Sequence, residues 1–293
     1  MRVFVTGATG LIGSAVVAEL INHGHKVLAL ARSDASARAA EAAGAEPLRG
    51  ALAELDVLRA GAKDADGTIH LAFSNDFSSP DALAKGIAEE TAAIASLGEA
   101  LLGTNRPLVM VSGTPTTPGR ASTEGDPAST SGPVGGRARA VMAGLELASR
   151  GVRSSAVRLP RTVHNHGTGG FAGILTNMAR QSRVAGYPGD GAQRWPAVHA
   201  LDAAALFRIA LERAAGGSSW HAVADEGDRV SDIAAVIGRR LGLPVKSVAS
   251  DSFGAFGPIF MADQPSSSAH TRQALGWTPT YPSLLKDLEN IQA

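Results

Sequence analysis

The sequence predicts an α/β fold, a doubly wound parallel sheet with a small C-terminal lobe, and three observations lead there. Short apolar runs bounded by turn residues alternate with longer helix-like segments, the pattern of strand–helix–strand units around a parallel sheet. A turn with three glycines joins the first run to the first helix. The 293 residues, 44% of them hydrophobic, suffice for a sizeable core.

The elements follow in order. Residues 2–5 form the first strand and 12–22 the first helix. Residues 25–31 (HKVLALA) form the second strand, and 33–43, rich in Ala with Arg and Glu, a helix that stops at Gly44. A short strand near 47–48 precedes a helix over 52–60. Residues 67–73 (GTIHLAF) are a strand, 80–102 a long helix, 106–112 (RPLVMVS) a strand, 136–150 a helix and 154–159 (SSAVRL) a strand. Residues 113–136 are dense in Gly, Pro, Ser and Thr and too long for an ordinary connection. They are expected to be an active-site loop or lid, with a disordered surface insertion as the plainer alternative. Beyond Pro160 the alternation loosens: a His- and Gly-rich loop, then helices near 171–181, 202–213 and 231–241. The division expected is a core over 1–160 and a smaller lobe over 161–293, interleaved with the last core elements.

The most informative segment is Val3-Phe4-Val5-Thr6-Gly7-Ala8-Thr9-Gly10-Leu11-Ile12-Gly13. A strand meets three glycines spaced three apart, then an apolar helix. One glycine makes the tight turn, one lets backbone approach a pyrophosphate, and one lets helix and strand pack closely. The helix start at Thr9, Gly10, Leu11 and Ile12 then offers unpaired N–H groups and a positive dipole end to phosphate. Placed between strand and helix, the motif predicts a Rossmann-type dinucleotide site.

Arg32 and Ser33 follow the second strand, where NAD selectivity needs a carboxylate on the ribose hydroxyls. Arg32 offers a charge-assisted, bidentate contact to a 2′-phosphate and Ser33 a further hydrogen bond. Asp34 is read as the first turn of the next helix, where an acidic residue is ordinary. The cofactor expected is NADP(H).

The string TGATGLIG in this position resembles the short-chain dehydrogenase/reductase superfamily, in its extended or atypical branch, over most of the chain. By that resemblance, 66–72 (DGTIHLA) is the fourth strand, whose end at Leu71 and Ala72 passes under the cofactor. Val109-Met110-Val111-Ser112 is the fifth strand with the active-site Ser. Val157-Arg158-Leu159-Pro160 is the sixth, with its Pro-led turn beside the nicotinamide. WPAVHALDAA, from Trp195, resembles the late segment VHxxDxA.

The superfamily's Tyr-xxx-Lys pair on the helix after the fifth strand, by contrast, is missing. That helix reads GRARAVMAGLE, and Tyr187 and Tyr281 are the chain's two tyrosines. Proton donation then falls to His164 or His166 after the sixth strand, with Ser112 or Thr114 bonding the reacting oxygen. Arg137 or Arg139 would stand in for the Lys. Alternatively, an activated carbonyl, imine or enone needs little acid help and hydride positioning supplies the rate. The function expected is NADP(H)-dependent reduction of a small, mainly apolar substrate of that kind. The alternative is a non-catalytic NADP(H)-binding redox-sensing regulator.

Other features bound the reading. Lys plus Arg equals Asp plus Glu at 27 each, which gives no electrostatic footprint for nucleic acid or membrane. With no cysteine there is no disulfide, thiolate zinc site or Cys nucleophile. His164-x-His166 lacks a third ligand at regular spacing, so no metal is expected. No GxSxG elbow occurs. The first strand starts at once, leaving no room for a leader, and no apolar run spans a bilayer; the expectation is a cytoplasmic protein. Segments 80–102 and 136–150, rich in Ala, correspond to the helices through which many relatives dimerise. His23 and His25 read as structural, His199 as a packing residue, Asp202 as a helix N-cap, and Trp195 as lining the pocket or filling the space between lobes.

Overall fold

The computed structural model describes residues 1–74, 76 and 78–292. Its strands are β1 (Arg2–Thr6), β2 (Lys26–Ala31), β3 (Glu46–Arg49), β4 (Gly67–His70), β5 (Pro107–Gly113), β6 (Arg153–Leu159), β7 (Thr162–His164), β8 (Ala185–Pro188), β9 (Arg194–His199), β10 (Ser218–His221), β11 (Asp225–Arg229) and β12 (Val245–Val248). Its helices are α1 (Leu11–Asn22), α2 (Asp34–Ala42), α3 (Leu55–Lys63), α4 (Pro80–Leu101), α5 (Gly135–Glu146), α6 (Gly170–Ser182), α7 (Ala200–Arg213), α8 (Val230–Leu241), α9 (Gly257–Phe260), α10 (Ala269–Leu275) and α11 (Leu284–Leu288).

Seven strands make one sheet in the order β3-β2-β1-β4-β5-β6-β10, every neighbouring pair parallel. The order reverses between β1 and β4, and at such a switch point the carboxyl ends of the strands splay to leave a crevice. Alternation along β1 shows how the layers form. Val3 and Val5 pack with α1 and α7 on one face, while Phe4 packs with α3 and α4 on the other. Both faces are covered, so the strands read as nearly continuous apolar runs.

α7 runs parallel to α1. Arg208 pairs with Glu19 at 2.7 Å, and farther along both helices His25 reaches Glu212 at 3.0 Å. Their N-termini therefore lie side by side at the carboxyl edge of the sheet. A separate core is built from α6, β9, α8 and α11 around Trp195, Phe253 and Phe260. Beside it lie a three-stranded sheet, β11-β9-β7, and the pair β12-β8. Among the described residues no helix is long and apolar enough to cross a membrane.

Several expectations shift. The helix placed at 52–60 starts at Leu55, because the Glu54 carboxylate takes the N–H of Ala51 at 2.6 Å and holds a turn there. The strand placed at 67–73 ends at His70, because Leu71 and Ala72 aim their N–H groups at the Thr6 hydroxyl. Asp202 does not cap its helix: His199 does, accepting from Leu201 N, while buried Asp202 accepts from the N–H groups of Thr280 and Tyr281. β10 and β11 went unread because SSWH and DEGDR lack apolar alternation; their backbone pairing alone makes them strands.

The long stretch after β5 is neither a free lid nor a loose insertion. Ser122 forms a bridge with Ser266, and their hydroxyls meet at 2.8 Å. Buried Glu124 accepts from both the N–H and the hydroxyl of Thr271, and Arg158 donates to the carbonyls of Glu124 and Asp126. Gln264 closes the strap with a 2.6 Å bond to the carbonyl of Thr114. The segment containing residues 259–264 is thereby tied across the carboxyl ends of β5 and β6.

Candidate active site

The site begins with the turn after β1. Gly7 has φ +73°, and a Cβ there would lie 2.8 Å from Ala72 N, so backbone from β4 passes where a side chain would sit. A Cβ on Gly13 would fall 1.9 Å from the carbonyl oxygen of Gly7, so α1 packs directly on the turn. Gly10 N donates to Gly7 O and Gly10 precedes α1, with no side chain capping the helix. Helices α2 and α4, by contrast, are capped by Ser33 and Ser79. The uncapped start leaves the first N–H groups of α1, from Leu11 to Gly13, without protein acceptors beside exposed Thr9, Gly10 and Leu11. Ile12 is half-buried below them. An oxyanion is the partner such an end calls for.

A buried histidine, unread in the sequence, braces this turn. Thr6 Oγ1 accepts from Leu71 N and Ala72 N at 3.2 Å each and lies 2.8 Å from His70 Nδ1. With two N–H groups already on the oxygen, the hydroxyl proton goes to Nδ1, which places the imidazole proton on Nε2. Burial, helped by the charge of Arg137, pushes the His70 pKa down to about 4, so the ring is neutral at pH 7. The unfolded chain takes up this proton first, near pH 6.5. Stability is thus intact above pH 6.5 and is lost as pH falls through about 4. Unfolding followed from pH 7 to 4 should show a loss on the order of 2 kcal/mol that His70→Asn reduces. An unchanged slope in the variant would remove His70 as its source.

Arg32 is exposed at the end of β2 and has no carboxylate or carbonyl partner among the described residues. Asp34 is drawn aside by Arg49 at 3.0 Å. The Ser33 hydroxyl accepts from Ser36 N as the cap of α2 and lies 3.1 Å from the Ser36 hydroxyl.

At the carboxyl end of β5, Ser112 is half-buried, and among the described residues no hydrogen bond of its hydroxyl is found. Thr114 is buried, N–H on Leu159 O and hydroxyl unpaired. Pro160, also buried, ends β6 beside them. α5 carries neither Tyr nor Lys. Arg137, weighed for the lysine's place, is held by Glu90 through two 2.7 Å bonds and lies 3.7 Å over the ring of Phe73. Arg139 donates to Thr130 O. Both arginines are thus engaged within the protein.

Of the two histidines, His164 sits in a strand and not in the expected loop, while His166 lies in the turn that follows. His164 ends β7 instead of sitting in a loop, is 1% exposed, and puts Nδ1 2.8 Å from Asp287 Oδ2. Burial raises the Asp287 pKa, but bonds from His164 and Gly167 N more than reverse this and hold it below the usual carboxylate value. His199 meets His164 edge-on at 5.4 Å and stacks on Tyr281; burial and the neighbouring His164 lower its pKa. His166 is exposed at φ +51°. The loop that follows bears on the start of α1, where a Cβ on Gly169 would meet Leu11 Cδ2 at 2.7 Å. This cluster therefore borders the start of α1. Trp195 is fully buried in the lobe core.

The switch-point crevice, the three-glycine turn and the seven-stranded parallel sheet define a Rossmann-type protein of the short-chain dehydrogenase/reductase superfamily, in its extended or atypical branch. More closely, residues 3–223 match the NAD dependent epimerase/dehydratase family, and the chain belongs to it. It is 42% identical over 292 residues to an uncharacterized protein of Schizosaccharomyces pombe, covering 98% of each chain. Among solved structures it is similar to Pal from Bacillus thuringiensis, with a TM-score of 0.80 at 20% identity, covering 99% of this chain and 97% of that one. It is also similar to DesIV, a dTDP-glucose 4,6-dehydratase from Streptomyces venezuelae with NAD and TYD bound. That TM-score is 0.77 at 17% identity, covering 99% of this chain and 95% of DesIV. At these identities the structural matches establish the fold alone.

Proposed function

We propose that the protein is an NADP(H)-dependent reductase of a small carbonyl, imine or enone compound. The observation that carries the reading is the start of α1 over Gly7, Gly10 and Gly13, which no side chain among the described residues caps, a geometry suited to phosphate. NAD bound to DesIV, on the same fold, supports a nicotinamide cofactor. Unpaired Arg32, with Asp34 held by Arg49, supports the 2′-phosphorylated form.

When bound, that cofactor supplies a hydride. The protein's part is to hold it against the carboxyl ends of β5 and β6, where Ser112 donates a hydrogen bond to the reacting oxygen. In balance, a carbonyl takes a hydride on carbon and a proton on oxygen, leaving an alcohol and oxidised cofactor. With no Tyr or Lys on α5, the final proton comes from water at the open side of Ser112, and positioning accounts for most of the rate. Epimerisation and dehydration lean on the missing tyrosine and fit this site less well.

NADPH oxidation against a panel of ketones, aldehydes, imines and enones tests the reading. Turnover should appear with NADPH and fall roughly 10- to 100-fold in Ser112→Ala, the scale for one hydrogen bond to a charged group. Tight NADPH binding without oxidation across the panel would contradict a reductase and favour a cofactor-sensing role.

A further inference from the structure

Arg161 follows Pro160 directly, at the point where the crevice meets the C-terminal lobe. Its guanidinium lies 5.4 Å from the ring of Phe171 and 5.9 Å from that of Trp195. One bond is made, from Nη1 to the carbonyl of Ile259 at 2.8 Å. Among the described residues Nε is buried without an acceptor, while the side chain as a whole stays partly exposed. Beside it, the indole N–H of Trp195 is also buried without an acceptor, on a side chain with no exposure at all.

The other inward-facing arginines differ. Arg137 and Arg208 are paired with carboxylates, and Arg153 and Arg158 each donate to two backbone carbonyls. Desolvation draws the Arg161 pKa down to about 10 without offsetting carboxylate partners. A desolvated cation next to an unbonded indole N–H is a costly arrangement that an incoming acceptor relieves. Around it the walls are apolar: Phe171 and, against it, Phe256 are half-buried, and Ile259 is 39% exposed.

We infer that Arg161 and Trp195 form the anion subsite of the substrate pocket, which takes a carboxylate carried on a small apolar body. The guanidinium fork and the indole N–H supply the donors, a carboxylate supplies two acceptor oxygens, and the aromatic walls take the rest of the molecule. The inference rests on the reductase reading for the location of the reacting carbon, and it narrows the substrate class to oxo acids or unsaturated acids. Arg161 and Trp195 are specificity residues here; the proton and hydride move elsewhere.

Calorimetric titration of benzoate and its neutral counterpart benzamide into NADP⁺-saturated protein tests the subsite. Benzoate should bind at least tenfold more tightly than benzamide, and Arg161→Gln should erase that preference while leaving NADP⁺ affinity unchanged. Arg161→Lys, keeping charge but losing the fork, should retain a fraction of it. Trp195→Phe keeps a ring and removes the N–H, so it carries the test if Arg161→Gln fails to fold; a severalfold loss for benzoate is expected. No saturable benzoate binding, equal affinity for the two probes, or a preference intact in Arg161→Gln or Trp195→Phe overturns the inference. The titration reads binding without turnover, so a failed substrate panel with a preserved benzoate preference would sink the reductase reading alone.

Discussion

Gly13→Ala should destabilise the protein by about 3 kcal/mol or more and abolish measurable cofactor binding. The added Cβ would stand 1.9 Å from Gly7 O, 2.8 Å from Gly7 C and 2.9 Å from Ala8 C. All three are backbone atoms, so no rotamer change relieves the clash. Either α1 lifts off the turn or the turn opens, and both movements destroy the phosphate seat. Gly125→Ala is the matched control: nothing lies within 4 Å of a Cβ there, and a change within about 0.5 kcal/mol is expected. Thermal unfolding with NADPH titration on both variants decides the matter. A folded Gly13→Ala protein with ordinary affinity would mean that the turn is not the cofactor seat.

Arg32→Ala should weaken NADPH binding by about 1.5–3 kcal/mol, the range for hydrogen bonds to a charged group, and barely change NADH binding. The selectivity of the effect follows from position. Arg32 is exposed at the end of β2, engages no carboxylate, and lies one strand from the glycine turn in the sheet. An equal loss for both cofactors would assign Arg32 to the pyrophosphate or to the surface, and not to a 2′-phosphate. High salt should also shrink the NADPH advantage, because an exposed ion contact is screened.

The turn after β1 was legible because its signals are local. Gly7, Gly10 and Gly13 lie within seven residues, and strand, turn and helix follow without interruption. Arg32 could be placed because one apolar strand leads straight to it. The contacts that brace the rest of the site were not legible, for an equally physical reason: they join distant parts of the chain. Thr6 finds His70 across 64 positions, Arg161 finds Ile259 across 98, and His164 finds Asp287 across 123. Nothing in the string around His164 announces that its ring is buried on a carboxylate near the C-terminus. The stretch after β5 misled in the same way. Its Gly, Pro and Ser content is that of a free loop, yet Ser122 and Glu124 are anchored by Ser266 and Thr271. The short runs SSWH and DEGDR gave no local hint of the strands they form.

Calorimetric titration of the unmodified protein with NADPH and, separately, NADH tests the central claim most directly, because it needs no substrate. Saturable binding of NADPH, at least tenfold tighter than NADH, is the expected result. Tighter binding of NADH would contradict the role given to Arg32, and the absence of saturable binding by either nucleotide would contradict the cofactor site itself.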